Sequence, residues 1–333
     1  MIGRRNFFTG LTALGTTGVL GLQLGRVAAE SPPETTRLRV PQGPSTCQAP
    51  QYVAEELFRG EGFSDVKYVK QETGAGLYKA LVSGEADIST TFVAPFTLQV
   101  DAGEPVVLLA GAHVGCLELF GTERVRSLRD LRGKTVAISA VGAPGHVFLV
   151  SMLAHVGLDH RKDVRWVTHP RAESIRLLAE KKVDAYMIAP PDAQELRARK
   201  IGHVVVNTGL DRPWSQYFCC MVAGNREFVR KHPVATKRAL RAILKAVDIC
   251  ALEPERSARL LVDKGVTTRY EYTLQMMKEL PYGKWREYDP EDTVRFYALR
   301  LHEVGMIKSS PQKIIAQGTD WRFLNELKRE LKG

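Results

Sequence analysis

The residues of this chain best suited to chemistry are scattered donors, acceptors and glycines, each placed just after a short β-rich run. Gln42 and Thr46 follow the first run, Thr73 and Gly74 the second, Thr91 and Phe92 the third, and His113 the fourth. In the second half of the chain the matching positions hold Gly142, Gly145 and His146, then Arg171, then Asp192, with Tyr217 beyond them. Loops beyond the carboxyl ends of strands, beside helix N-termini, are where open α/β sheets hold ligands. Such a set captures a small molecule without breaking a bond in it. Glycines let backbone N–H groups approach closely, and Arg171 offers a fork for a carboxylate or sulfonate. Asp192 and Glu72 would instead hold an amine or a heterocycle N–H, and Phe92, Trp214 and Tyr217 offer apolar or stacking walls. Of His113, His146 and His169, one is expected to touch ligand. Plainer roles compete: Ser45, Thr46 and Thr73 suit helix capping, and Asp87 and Asp184 are assigned to turns. No Ser/His/Asp or paired-carboxylate arrangement is present, so no catalytic residue is expected.

The five cysteines, Cys47, Cys116, Cys219, Cys220 and Cys250, form no CxxC pair, and an odd count argues against a disulfide framework or a zinc site. Neither a metal nor a cofactor is expected. Strand alternation would send Cys219 and Cys220 to opposite faces.

The elements that must position these residues alternate. Strands are predicted at 38–40, 66–70, 86–90 and 106–110, with helices at 50–58, 77–82 and through Leu98 between them. The pattern restarts with strands at 133–139, 164–167, 183–188 and 204–206 and helices at 144–156 and 174–181. Alternating strands and helices imply βα units and a mostly parallel sheet. The phrase Ala80-Leu81-Val82-Ser83-Gly84-Glu85-Ala86-Asp87-Ile88 is echoed by Leu177-Leu178-Ala179-Glu180-Lys181-Lys182-Val183-Asp184-Ala185. A unit used twice implies two similar lobes with a cleft between them. After a strand at 218–223, helices are predicted at 235–251, 254–264, 272–280, 290–304 and 320–331, packed on the first lobe.

The first 29 residues differ in kind. Arg4-Arg5-Asn6-Phe7-Phe8, an apolar stretch from Leu11 to Leu24 diluted by Gly15, Gly18 and Gly21, and Val27-Ala28-Ala29 describe a twin-arginine export signal. The stretch is too short and glycine-rich to span about 30 Å of hydrocarbon. Residues 30–36 read as a linker. The net charge of +10 includes Arg4, Arg5 and Arg26, and the rest is scattered, with no basic stripe interleaved with aromatics. That excludes nucleic acid as a natural partner. A free periplasmic monomer, not embedded in a membrane, is expected.

Gly84-Glu85-Ala86-Asp87-Ile88, Asp130-Leu131-Arg132-Gly133-Lys134-Thr135-Val136-Ala137, Lys182-Val183-Asp184-Ala185 and Asn225-Arg226-Glu227-Phe228-Val229-Arg230-Lys231-His232-Pro233 together resemble periplasmic solute-binding proteins for sulfonates, taurine, nitrate and pyrimidine precursors. The resemblance extends from about Leu38 to Pro254. It implies an α/β fold of the periplasmic-binding-protein type, with two Rossmann-like lobes joined by a two-segment hinge and a ligand cleft between them. Lobe I would comprise 37–118 and 222–333, and lobe II 119–221. It also implies a partner, the permease and ATPase of an ABC importer. Relatives that bind oxyanions commonly carry Ser or Thr in the turn occupied here by Val141-Gly142-Ala143-Pro144-Gly145, which disfavours nitrate or a simple sulfonate. A small organic solute, such as a carboxylate, sulfonate or heterocycle, is the reading. Two alternatives stay open. One is a pyrimidine-synthase-like enzyme, since such proteins carry a cysteine-rich run where Cys219 and Cys220 stand; the other is a ligand sensor.

Overall fold

Buried Leu38 and Val40 alternate with half-exposed Arg39 along β1 (Arg37–Gln42), which pairs in parallel with β2 (Asp65–Lys70). The computed structural model describes residues 30–43, 45–71 and 74–331; residues 1–29, read above as an export signal, and Glu72 and Thr73 lie outside them. β3 (Ile88–Phe92) and β4 (Val106–Val114) are buried throughout. Between them runs β10 (Phe218–Asn225), antiparallel to both.

The second lobe is a five-stranded sheet with a different order. It contains β5 (Glu118–Gly121), β6 (Lys134–Ile138), β7 (Val164–Thr168), β8 (Ala185–Ile188) and β9 (His203–Asn207). Across the sheet the order is β7-β6-β8-β5-β9. β6 is parallel to β7 and β8, whereas β5 is antiparallel to β8 and β9. The expected mostly parallel sheet is therefore mixed. In each lobe the strand entered from a crossing segment, β5 or β10, runs against its neighbours.

The repeated phrase has a structural meaning. Asp87 N–H donates to the Arg39 carbonyl (2.8 Å), while its carboxylate accepts from Arg39 N–H (2.7 Å). Asp184 does the same with Thr135, at 2.7 and 2.8 Å. Each aspartate locks the strand it opens to an earlier strand of its own lobe, β1 for Asp87 and β6 for Asp184, which is the turn role expected of both. Asn225 caps the following helix (Arg226–Lys231), its side chain accepting from Glu227 and Phe228 N–H groups at 3.0 and 3.1 Å.

The crossing segments touch. Thr208 Oγ1 accepts from the Cys116 and Leu117 N–H groups, both at 3.0 Å, and donates to the Leu117 carbonyl at 2.8 Å. At Gly115, where φ is +56°, a Cβ would lie 2.2 Å from Gly209 Cα. Only glycine permits that conformation and that approach.

The predicted helix at 50–58 is two helices, Ala49–Val53 and Glu55–Gly60, broken at Ala54. The long helix Pro233–Leu252 presents buried Ala239, Leu240, Ile243, Leu244 and Val247 to those helices and to β4. The later helices do not confine themselves to the first lobe. Tyr270–Glu279 packs on Asp192–Ala198 of the second lobe, and Pro290–Glu303 packs on both Val93–Asp101 and Pro144–His155. Two short helices, Asp192–Ala198 and Pro311–Gly318, were not anticipated. Among the described residues no helix is long and apolar enough to cross a membrane.

Candidate functional site

A cavity of about 710 Å³ opens between the two lobes. From the first lobe Ser45, Gly74, Ala75, Tyr78, Lys79, Phe92, Leu98 and Gln99 line it; from the second, residues 138–146, Pro170, Arg171 and 186–189; and Leu117 of the crossing closes its floor. That volume suits a small organic molecule.

The second-lobe wall is the N-terminus of the helix Pro144–His155. Ala143 precedes it without a side-chain cap, and Pro144 brings no N–H, so the first-turn amides of Gly145 and His146 remain for a ligand. Gly142 sits at φ +80°, and a Cβ on Gly145 would meet the Met187 carbonyl oxygen at 2.6 Å. His146 Nδ1 accepts from Gly142 N–H at 3.1 Å, leaving the proton on Nε2. Burial, reinforced by nearby His160, lowers the His146 pKa to about 4, so the ring is neutral near pH 7. The ring also packs edge-on against Trp166, 4.8 Å between centroids. Burial likewise raises the Tyr186 phenol to about 12.

The cavity's charge is one-sided. Lys79 and Arg171 are its cations, and among the described residues none of those lining it is acidic. Arg171 Nε lies 2.7 Å from Asp192 Oδ2, and Arg269 Nη1 lies 2.5 Å from Oδ1 of the same carboxylate. Asp192 is thus committed to two arginines behind the wall and is not a receptor for an amine.

Of the residues read from the sequence, Gly74, Phe92, Gly142, Gly145, His146 and Arg171 come together on this cavity. The others do not. Gln42 Nε2 donates to the Lys264 carbonyl at 3.4 Å. Thr46 and Thr91 are fully buried away from the cavity. Tyr217 stacks on Phe296 with ring centroids 4.0 Å apart. Tyr78, Lys79, Gln99 and Tyr186 were missed. The helix carrying Tyr78 and Lys79 starts at Gly74 instead of 77, and both residues line the cleft.

His113 belongs to a second cluster. It is fully buried, with Nε2 2.9 Å from the Cys47 carbonyl oxygen and Nδ1 3.1 Å from that of Gly115. Cys47 Sγ is 3.7 Å from Cys220 Sγ. Cys116, Cys219 and Cys220 place their sulfurs within 4.8 Å of one another. The alternation expected of Cys219 and Cys220 fails because β10 is irregular opposite β4 between Phe218 and Met221. All five cysteines are free and buried. None lines the cavity, so a solute held there meets no thiol.

A family model described as "NMT1-like family" matches residues 31–262. The chain belongs to the NMT1-like family. The taurine-binding periplasmic protein of Escherichia coli (strain K12) is 23% identical over 222 residues, 64% of this chain and 68% of that protein. Among solved structures, the periplasmic nitrate-binding protein NrtA from Synechocystis PCC 6803 superposes with a TM-score of 0.74 at 17% identity, covering 91% of this chain and 90% of that one. The alkanesulfonate-binding protein SsuA from Xanthomonas axonopodis pv. citri, bound to MOPS, gives 0.67 at 16%, covering 86% and 99%. The fold of this NMT1-like chain is accordingly the two-lobed one of periplasmic binding proteins.

Proposed function

We propose that this chain is the solute-receptor component of an ABC importer and captures a small organic anion with an apolar body. The observation that carries the reading is the composition of the cavity: two cations, a neutral histidine and a helix N-terminus, no carboxylate among the described residues, and walls that are otherwise mainly apolar and aromatic, with Ser45, Gln99 and Ser139 as the remaining polar side chains. Nitrate alone would leave most of 710 Å³ to water. A carboxylate or sulfonate group placed against Lys79, Arg171 and the Gly145–His146 amides leaves the remainder of the solute against Phe92, Tyr78 and Tyr186. The lobes pivot on the crossings at 115–117 and 208–217, and the closed form is what the permease and ATPase read. Chemistry on the solute has no place in this scheme. The Arg4-Arg5 segment supports delivery to the periplasm by the twin-arginine route, and the periplasmic relatives support that location.

The test is a thermal-shift panel of aliphatic and aromatic carboxylates and sulfonates, nitrate, and neutral pyrimidines. A matching ligand at 100 times its Kd stabilises by about 2.7 kcal/mol. An organic anion should give the hit, and K79M and R171M should each weaken it. A neutral or cationic ligand whose affinity is indifferent to both substitutions would overturn the reading.

A further inference from the structure

The buried thiol cluster is unused by solute capture, and its composition is unusual for a core. Two groups of potential ligands share one residue: Cys47, His113 and Cys220, and Cys116, Cys219 and Cys220, with the donor atoms of each group within 4.8 Å of one another. All of these side chains are at least nine-tenths buried. They come from three separated parts of the chain. Cys47 lies in the turn Thr46–Gln48, His113 and Cys116 at the end of β4 and the first crossing, and Cys219 and Cys220 on β10. Strand register puts Cys220 opposite His113, and the irregularity in β10 brings the neighbouring thiol to the same side.

We propose that this cluster is a binding site for a thiophilic closed-shell cation, Zn(II) or Cu(I), with Cys220 as the shared ligand. Four thiols and one imidazole are the donor set such ions select. The spacing agrees, because two thiolates on one tetrahedral zinc sit about 3.8 Å apart and the Cys47 and Cys220 sulfurs are 3.7 Å apart. Binding exchanges protons for metal. Two thiols lose two protons to give two thiolates, which neutralise one Zn(II), and His113 binds as the neutral ring in place of one of its carbonyl contacts. The ion would join the turn at 46–48, the first crossing and β10, three pieces that meet where the lobes pivot. Its expected effect is to stiffen that junction, and it takes no part in holding the solute.

The experiment uses the full chain expressed in medium supplemented with zinc or copper and purified under reducing, oxygen-free conditions. Metal content per chain is read on the intact protein by elemental analysis and native mass spectrometry. Cobalt replacement gives an independent readout, because only thiolate ligation produces sulfur-to-cobalt charge-transfer absorption. One equivalent of Zn(II) or Cu(I) is expected, with a melting temperature that falls on chelation. C220S should lose the metal and C250S should keep it, since Cys250 lies outside both groups. If C220S does not fold, C47S and H113N are measured instead, each expected to lose the cobalt absorption. The proposal is overturned by metal content in the wild type no higher than in C220S or C47S. It is equally overturned if the cysteines form a disulfide, read as loss of two hydrogens, while metal is absent.

Discussion

His146 shows how one side chain can carry both a recognition role and a stability cost. Its Nδ1 is occupied by Gly142 N–H, which fixes the ring's proton on Nε2. Burial holds its pKa near 4 against an ordinary 6.5. Between those values the unfolded chain binds a proton that the folded chain refuses, so stability rises with pH across the window and is lost as pH falls from 6.5 toward 4. The span corresponds to at most about 3–4 kcal/mol. H146Q should flatten this segment of the profile, as measured by denaturant unfolding at the two ends of the window; an unchanged slope would assign the acid sensitivity elsewhere. At this scale the sequence was partly readable. Gly142, Gly145, His146 and Arg171 were found because a loop leading into a helix N-terminus announces itself through glycine and proline. Asp192 was misread because pairing with Arg269, 77 positions away in sequence, has no local signature. The thiol cluster was hidden for a related reason: Cys220 meets His113 only through strand register.

Between the residue and the whole protein, the crossings hold the two lobes together. Thr208 Oγ1 serves two N–H groups and one carbonyl of the opposite crossing at once. T208V keeps the shape but strands two buried donors, at about 1–3 kcal/mol for each unsatisfied group. The expected result is a destabilisation of about 2–4 kcal/mol in chemical denaturation, and a change under about 0.5 kcal/mol would show that the crossings are held by other contacts. Helices and strands were readable from periodicity over nearly the whole described chain, including the repeated Asp87 and Asp184 phrases. Strand direction was not. β5 was not among the predicted strands and β10 looks like any other β-rich run; their reversal follows from arriving out of a crossing, which is a property of the path and not of the composition. The break at Ala54 also escaped, since Val53, Ala54 and Glu55 carry no helix-stopping residue.

Across the whole molecule, the C-terminal helices act as a clasp over the second lobe. Arg269 Nη1 reaches Asp192 at 2.5 Å and Glu195 at 2.6 Å, and Gln194 Nε2 reaches Glu279 at 3.1 Å, with Arg197 paired to the same Glu279. These contacts belong to the lobes as they stand together and favour that arrangement over an open one. R269M should speed ligand release by about fivefold, the effect of a partly exposed ion pair worth about 1 kcal/mol, read by stopped-flow displacement. An unchanged release rate would mean that the clasp is structural only. The placement of β10 has a consequence for biosynthesis. The five strands of the second lobe are complete once Asn207 has been made, whereas β3 and β4 wait for the strand that belongs between them, Phe218–Asn225. On the ribosome the second lobe is therefore the first able to close. Until β10 emerges, two buried-type strands have unfilled edges, the state in which pairing with another chain is easiest.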